Sequence, residues 1–232
     1  MMPVSLRRLP LLVVAAVLAL VVSGCGGDGG GGDTRAAADR IGNARTALSE
    51  ADGLTIALGT EKLPQGVQGV LKASGTGTSA PAFKGEITVV QSGLSVDVPV
   101  IAVAGKVYVK FVGTWRTIDP ATYSAPDPAS LFGPSGGIST LLRGLEDVKA
   151  GKDTRDGKQV LSTVTATVPG TAVATIIPSA DKGAGFRATF TLDDDDRLQK
   201  AVVTGPFYGD ADDATYTLRF SDYGKTIPIS AP

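Results

Sequence analysis

The side chains able to do chemistry in this chain are one cysteine (Cys25), a few serines near lysines or glycines, and two dense runs of aspartate; there is no histidine. That absence removes Ser-His-Asp and Cys-His nucleophiles and histidine-ligated zinc, all of which use an imidazole near neutral pH. Gly133-Pro134-Ser135-Gly136-Gly137 spells GxSxG, but a nucleophile elbow needs a buried strand before it and a histidine partner. Proline and glycines around a serine just ahead of an apolar helical pattern read instead as a helix-start loop. Ser179 and Lys182 have SxxK spacing, yet the lysine falls in a glycine-rich turn and the companion motifs are missing. No glycine-rich loop ends in GK[ST], so no phosphate cradle is expected. Asp193 to Asp196 form an unbroken run, and Asp210, Asp212 and Asp213 a looser one. Carboxylates this dense suit calcium, though not with the spacing of an EF-hand. Lying between strand-like segments, they read as hairpin turns, where aspartate tolerates the backbone geometry and keeps edges soluble. The expectation is a protein that is not an enzyme and holds neither metal nor cofactor.

Cys25 offers a different chemistry. Arg7 and Arg8 precede an apolar run from Leu9 to Val22, which ends in Ser23-Gly24-Cys25. A charged start, a short greasy stretch and small residues at the end are the layout of a secretory signal peptide. The run is shorter than the ~18–20 apolar residues of a spanning helix. Val22-Ser23-Gly24-Cys25 resembles the bacterial lipobox, in which the cysteine thiol receives a diacylglycerol and cleavage leaves that cysteine as the new N-terminus. The resemblance implies a signal peptide over residues 1–24, lipidation at Cys25, and a mature protein held by its acyl chains on the extracytoplasmic face of the cell membrane. Two or more chains supply the two anchoring signals that stable attachment takes. Losing Arg7 and Arg8 with residues 1–24 takes the formal charge from −1 to −3, which gives no reason to expect nucleic-acid or polybasic membrane binding. A lipidated Cys25 leaves no cysteine for disulfides, and about 200 residues is ample to bury a core without them.

Residues 26–32 are nearly all glycine, a composition that buries no apolar surface and makes residues 25–32 a flexible tether. Residues 33–232 then read as one domain. Asp33 is placed to cap a helix running to about Ala51, in which Ala37, Ile41, Ala44, Leu48 and Ala51 form one stripe. A stripe so rich in alanine predicts a helix lying close against its neighbour. After Asp52-Gly53 the period changes to two. Leu94, Val96, Val98 and Val100 alternate with Ser95, Asp97 and Pro99; Val160, Ser162, Val164, Ala166 and Val168 alternate with Leu161 and threonines. Phe186, Ala188, Phe190 and Leu192 form another dry row, as do Tyr216, Leu218 and Phe220. These are strands with one dry and one wet face. Further strands are expected near 54–61, 67–77, 83–91, 106–111, 115–118 and 198–205. Three helical interruptions are predicted: Asp127 to Phe132, Ile138 to about Lys149, and Thr171 to Ile177. A large antiparallel sheet with a few helices on its dry face is an α+β arrangement. Between the two layers lies either a solid core or an unfilled groove. With aromatics at 6% and one Trp, composition alone favours the solid core.

The stretch from Trp115 to Pro178 shifts that weighting. Its elements come in a recognisable order: a Trp-bearing strand end, then an aromatic and Asp127-Pro128-Ala129 before a short helix, then a Leu- and Val-rich segment. The turn Asp147 to Gln159, a strand, and an Ala-Val helix ending at Pro178 follow. This order resembles the centre of the LppX/LprG family of actinobacterial lipid-carrier lipoproteins, as does the sequence of lipobox, glycine tether and first helix. The resemblance covers the mature domain and thins after Ala180 to alternating strands and the stretch Leu218–Gly224. It implies a curved antiparallel half-barrel with helices packed on its concave face around a hydrophobic cavity. In that family the cavity takes acyl chains of glycolipids, phosphatidylinositol mannosides or triacylglycerols, for transfer across the cell envelope.

On that basis Ile138, Leu141, Leu142, Leu145 and Val148 are expected to line the cavity from the helical layer, and Val96, Val98, Val164 and Phe190 from the sheet. The expected partners are an acyl lipid or glycolipid, the membrane through the anchor, and a membrane transporter. No residue assigns a head group. Two rivals of other kinds remain open: a scaffold lipoprotein whose groove binds a partner protein, and a histidine-free enzyme using Ser179 and Lys182.

Overall fold

The computed structural model describes residues 29–134 and 137–232; Cys25, the signal segment and Ser135 of the GxSxG string lie outside the described residues. Helix α1 spans Gly29–Glu50, so it begins four residues before the expected cap at Asp33 and takes in the end of the glycine run. Four of the five stripe residues, Ala37, Ile41, Ala44 and Leu48, are buried on it, while Ala51 follows the helix end and is half-buried. The small alanines bring α1 close to the strand and the 3-10 turn beneath it.

The strands are β1 Gly53–Gly59, β2 Gly69–Thr78, β3 Ala82–Gln91, β4 Leu94–Val103, β5 Lys106–Phe111, β6 Thr114–Ile118, β7 Glu146–Ala150, β8 Thr154–Asp156, β9 Gln159–Pro169, β10 Gly185–Leu192, β11 Leu198–Gly205 and β12 Ala214–Ser221. They form one curved antiparallel sheet in the order β6-β5-β4-β3-β2-β1-β12-β11-β10-β9-β7, with β8 paired to β9 alone. Tight hairpins carry the chain from β3 out to β6. At Ser92-Gly93, Ala104-Gly105 and Val112-Gly113 both central residues have positive φ, the turn whose twist matches that of the flanking strands. The chain then crosses to the opposite edge at β7 and walks back through β9, β10 and β11 until β12 pairs β1. The edges β6 and β7 do not meet, so the half-barrel stays open.

The crossing segment supplies much of the helical layer. Two Asp-Pro-Ala sequences start its 3-10 turns, Pro120–Tyr123 and Pro128–Phe132. Asp119 and Asp127 each accept a backbone N–H two residues on, at 3.0 and 2.9 Å, and the proline supplies the first helical φ. The expected helix from Ile138 to about Lys149 does not form. A 3-10 turn at Gly137–Leu142 buries Ile138, Leu141 and Leu142, and Gly144 at φ +65° ends it. The chain then becomes β7, because the edge of β9 accepts it: Glu146 pairs with Thr167 and Lys149 with Thr165. Sheet pairing has overridden a helical period that was satisfied only as far as Leu142. The third interruption is helix α2, Gly170–Val173, followed by turns to Ile177.

Register places one apolar row after another on the concave face. Leu58 faces Leu218 and Ile56 faces Phe220; Ala201 lies between Leu218 and Phe190; Phe190 faces Val164. On the other half Ile87 faces Val98, and Val100 faces Val109. Glycines lower the sheet where the crossing segment lies on it. A Cβ at Gly77 would stand 2.2 Å from the Phe132 ring, and one at Gly75 2.5 Å from Phe83. Phe132 therefore lies flat, stacked on Phe83 at 5.7 Å between ring centres.

The far end of the sheet is tied by Arg40 of α1. Its guanidinium donates to Asp196 Oδ1 at 2.5 Å, to Ser162 Oγ and to the Asp193 carbonyl at 2.9 Å. Asp193 itself is buried and accepts the backbone N–H groups of Asp195 and Arg197 and the Gln199 amide. The aspartate run thus serves the β10–β11 turn and its attachment to α1, as the hairpin reading has it.

Candidate functional site

The concave face changes character across the sheet. Over β9 to β12 it is covered by α1, the Gly137–Leu142 turn and the α2 segment, and its side chains are buried. Over β2 to β5 the cover thins to the Pro128–Phe132 turn. There Ile87, Val98 and Val109 are half-buried, packed against the core from its margin. Along β4 the same-face ladder grades outward: Val100 is 3% exposed, Val98 half-buried, Val96 39% and Leu94 70%. An apolar track therefore leads from the core to the end of the sheet that carries the β3–β4 and β5–β6 turns.

Between sheet and helical layer the packing is close. One void of about 10 Å3 lies between Leu58, Val203, Phe207, Tyr216 and Leu218 of the sheet side and Leu141, Val173, Ile176 and Ile177 above. A second, also about 10 Å3, lies under the crossing segment at Leu54, Gly77, Phe132 and Ile138. Each has room for about one water-sized sphere. A much larger depression of about 940 Å3 is on the opposite, wet face, lined by Lys62, Lys72, Asp213, Thr217 and Arg219 among others. Its volume is open solvent over charged side chains, and it is no place for an acyl chain.

The seam at the first void is fixed by aromatic and hydroxyl contacts. Phe207 meets Phe186 and Tyr216 edge-on, at 4.9 and 4.8 Å. The Tyr216 hydroxyl reaches past the end of β1 to donate to the Val70 carbonyl at 2.5 Å, and accepts from the Tyr208 hydroxyl at 2.6 Å. Burial raises the pKa of both phenols above the usual range. Above the seam the side-chain tie is slight: the Thr140 and Thr175 hydroxyls, 3.0 Å apart, join the 3-10 turn to the α2 segment.

Of the nine side chains expected to line a cavity, Leu141 and Ile138 border the two voids. Leu142, Val164 and Phe190 are buried in the core, Leu145 and Val148 are half-buried against it, and Val98 and Val96 lie on the graded track. The side chains that frame the seam include Leu58, Val173, Ile176, Ile177, Val203, Phe207 and Leu218. The signal for Leu218 was the alternation of β12, and for Val173, Ile176 and Ile177 the apolar segment before Pro178; Leu58 and Val203 fall in expected strands, and nothing local marked Phe207. Ser179 and Lys182 are both exposed on the turns after Ile177. Among the described residues no helix is long and apolar enough to cross a membrane.

Comparison with known proteins accords with this architecture. The family model described as LppX_LprAFG lipoprotein matches residues 36–229. The chain is 26% identical over 237 residues to the lipoarabinomannan carrier protein LprG of Mycobacterium tuberculosis (strain ATCC 25618 / H37Rv), covering 97% of this chain and 95% of that protein. The LprG of Mycobacterium bovis (strain BCG / Pasteur 1173P2) matches with the same figures. Among solved structures, LprF from Mycobacterium bovis superposes with a TM-score of 0.71 at 15% identity, over 85% of this chain and 97% of that one. LppX from Mycobacterium tuberculosis gives 0.60 at 16% identity, over 84% and 99%. A family match over most of the chain, on the same open antiparallel sheet, makes this protein a member of the LppX_LprAFG lipoprotein family.

Proposed function

We propose that this protein is a non-enzymatic, lipid-anchored carrier that takes the acyl chains of a multi-acylated lipid or glycolipid between its concave sheet face and the helical layer. The observation that carries the reading is the graded ladder on β4, in which apolar side chains run without interruption from the core out to solvent. Exposing acyl chains to water costs about 0.8 kcal/mol per methylene, so an unassisted lipid seldom leaves its bilayer. A dry face that accepts the chains offsets most of that cost without any chemistry. Lipidation at Cys25 would keep the carrier within reach of the donor membrane on the extracytoplasmic side, with a membrane transporter as the natural supplier or recipient. The name of the LprG relatives, lipoarabinomannan carrier protein, supports an acylated glycolipid as the cargo class.

The two voids admit no acyl chain as they stand, so loading requires the seam to widen. The α2 segment, held by its apolar side chains and the Thr140–Thr175 contact, is the element placed to move. Val98→Trp tests the path. Val98 is half-buried on the track, so an indole fits there with little strain while occupying the space a chain would use. Lipid uptake should be lost, with circular dichroism and melting temperature close to those of the parent protein. Full uptake by a folded Val98→Trp protein would take β4 out of the path.

A further inference from the structure

We propose that the acyl path turns a corner: a cargo chain entering along β4 is stopped by the Phe83 ring and redirected across the sheet, over Ala73, to the seam at Leu58. Register sets the row that leads sideways. Val98 faces Ile87, Ile87 faces Ala73, and Ala73 faces Leu58. These four side chains share the concave face and are all half-buried. The row therefore joins the graded ladder of β4 to the void framed by Leu58 and Leu218 on the sheet and by Leu141, Ile176 and Ile177 above it.

The next concave row closes the way ahead. It reads Val100, Gly85, Gly75, Ile56, and its ends are packed, with Val100 3% and Ile56 9% exposed. At its middle the two glycines face each other and leave room for a ring to lie down. A Cβ on Gly85 would stand 2.6 Å from Phe83 Cζ, and one on Gly75 2.5 Å. Phe83 is itself buried and is backed by the stacked Phe132 ring. A chain coming down the ladder thus meets packed side chains one step past Val98, while sideways the apolar strip continues.

Ala73 is the small residue of that strip. Its neighbours on the row are Leu58, Ile87 and Val98, bulky side chains of the kind strands favour, whereas alanine is depleted in strands. The sheet surface is lowest at Ala73, midway between track and seam, where a crossing chain needs room. From Leu94 to Val98 is four residues, about 14 Å, and from Val98 on β4 to Leu58 on β1 is three strand spacings, also about 14 Å. An extended chain of ~1.5 Å C–C bonds advances about 1.25 Å per carbon, so each leg holds about eleven carbons. The track alone accommodates a chain of about ten carbons, and the corner serves the longer chains of membrane lipids. The occupant is that of the carrier reading, on which this path rests; the corner assigns where the far half of the chain lies and names Ala73 and Phe83 as the residues that select by chain length.

Ala73→Phe separates the two legs, because the added ring fills the strip at the corner and leaves the β4 ladder free. The full chain, stripped of bound lipid in detergent, is titrated with didecanoyl and with distearoyl phosphatidylglycerol and read by native mass spectrometry. Didecanoyl binding should equal that of the parent protein. Distearoyl binding should weaken by at least about tenfold, the cost of leaving two or more methylenes in water. Circular dichroism and the melting temperature check that the variant is folded. A second measurement needs no substitution and decides the matter if the variant does not fold. In the parent protein, a distearoyl lipid with a diazirine on its terminal carbon should cross-link to Leu58, Leu218 or Ile176, which frame the seam. Undiminished distearoyl binding by folded Ala73→Phe, equal loss of both lipids, or terminal adducts on Phe83 or Phe132 would overturn the corner. In each of those cases the parent still binds lipid, and the carrier reading stands. A parent protein that binds neither lipid removes the carrier reading and the corner with it.

Discussion

Tyr216 and Tyr223 are phenols held away from water and hydrogen-bonded to backbone carbonyls, of Val70 and Leu198 respectively. Burial is the main cause that raises both pKa values, joined at Tyr223 by the negative charge of Asp193 and at Tyr216 by the Tyr208 hydroxyl. In the unfolded chain a tyrosine releases its proton near pH 10, while these hold theirs to higher pH in the fold. The unfolded state then binds fewer protons than the native one, so stability is fully present below about pH 10 and falls as pH rises beyond it. With no imidazole in the chain, the urea midpoint should be nearly level from about pH 6 to 9 and drop steeply above about pH 10. A midpoint that rises through that upper range would contradict the burial of these rings. At this scale the sequence was partly legible. The alternation of β12 named Tyr216 as a dry residue, but nothing local announced its reach to Val70, a contact that joins strands far apart in the chain. The aspartate run was legible as a turn, because aspartates accepting nearby N–H groups is a local matter.

Among the elements, ten of the twelve described strands were expected from the sequence, four of them from explicit period-two alternation, which a dry face enforces. The two that escaped, β7 and β8, are short and exposed, and they exist because β9 offers them an edge. The same pairing explains the lost helix after Leu142: Leu145 and Val148 continue a helical spacing, but Gly144 and the edge of β9 decide the outcome. Leu94 and Val96 read as buried from alternation alone. Whether the helical layer reaches that end of the sheet is a property of the crossing segment, not of β4. The same layer carries the next prediction. The α2 segment to Ile177 is short and is held by apolar side chains and the Thr140–Thr175 hydroxyl contact, with its backbone bonded mostly within its own turns, whereas β9 to β12 are paired on both sides. Local opening is expected first where backbone pairing is sparse. Hydrogen exchange should be fast in residues 170–177 of the lipid-free protein and slow markedly on lipid loading, with β10 and β11 protected in both states. Slow exchange there without lipid would mean that another element opens.

Taken whole, the molecule is an open half-barrel whose two edges never meet, with an apolar face that is closed on one half and graded into solvent on the other. Low aromatic content and small dry residues favoured a solid core on composition alone, and only the family resemblance weighed for a cavity. The structure holds features of both: tight packing under α1, and a seam with only small voids beside an exposed apolar track. That combination is what a carrier at rest would present, closed against water yet lined for chains. The direct test is native mass spectrometry of the full chain released gently from host membranes, followed by organic extraction. The carrier account predicts a stoichiometric non-covalent adduct that extraction releases as a multi-acylated lipid. A clean lipid-free mass that stays so after incubation with diacyl and triacyl lipids would contradict it.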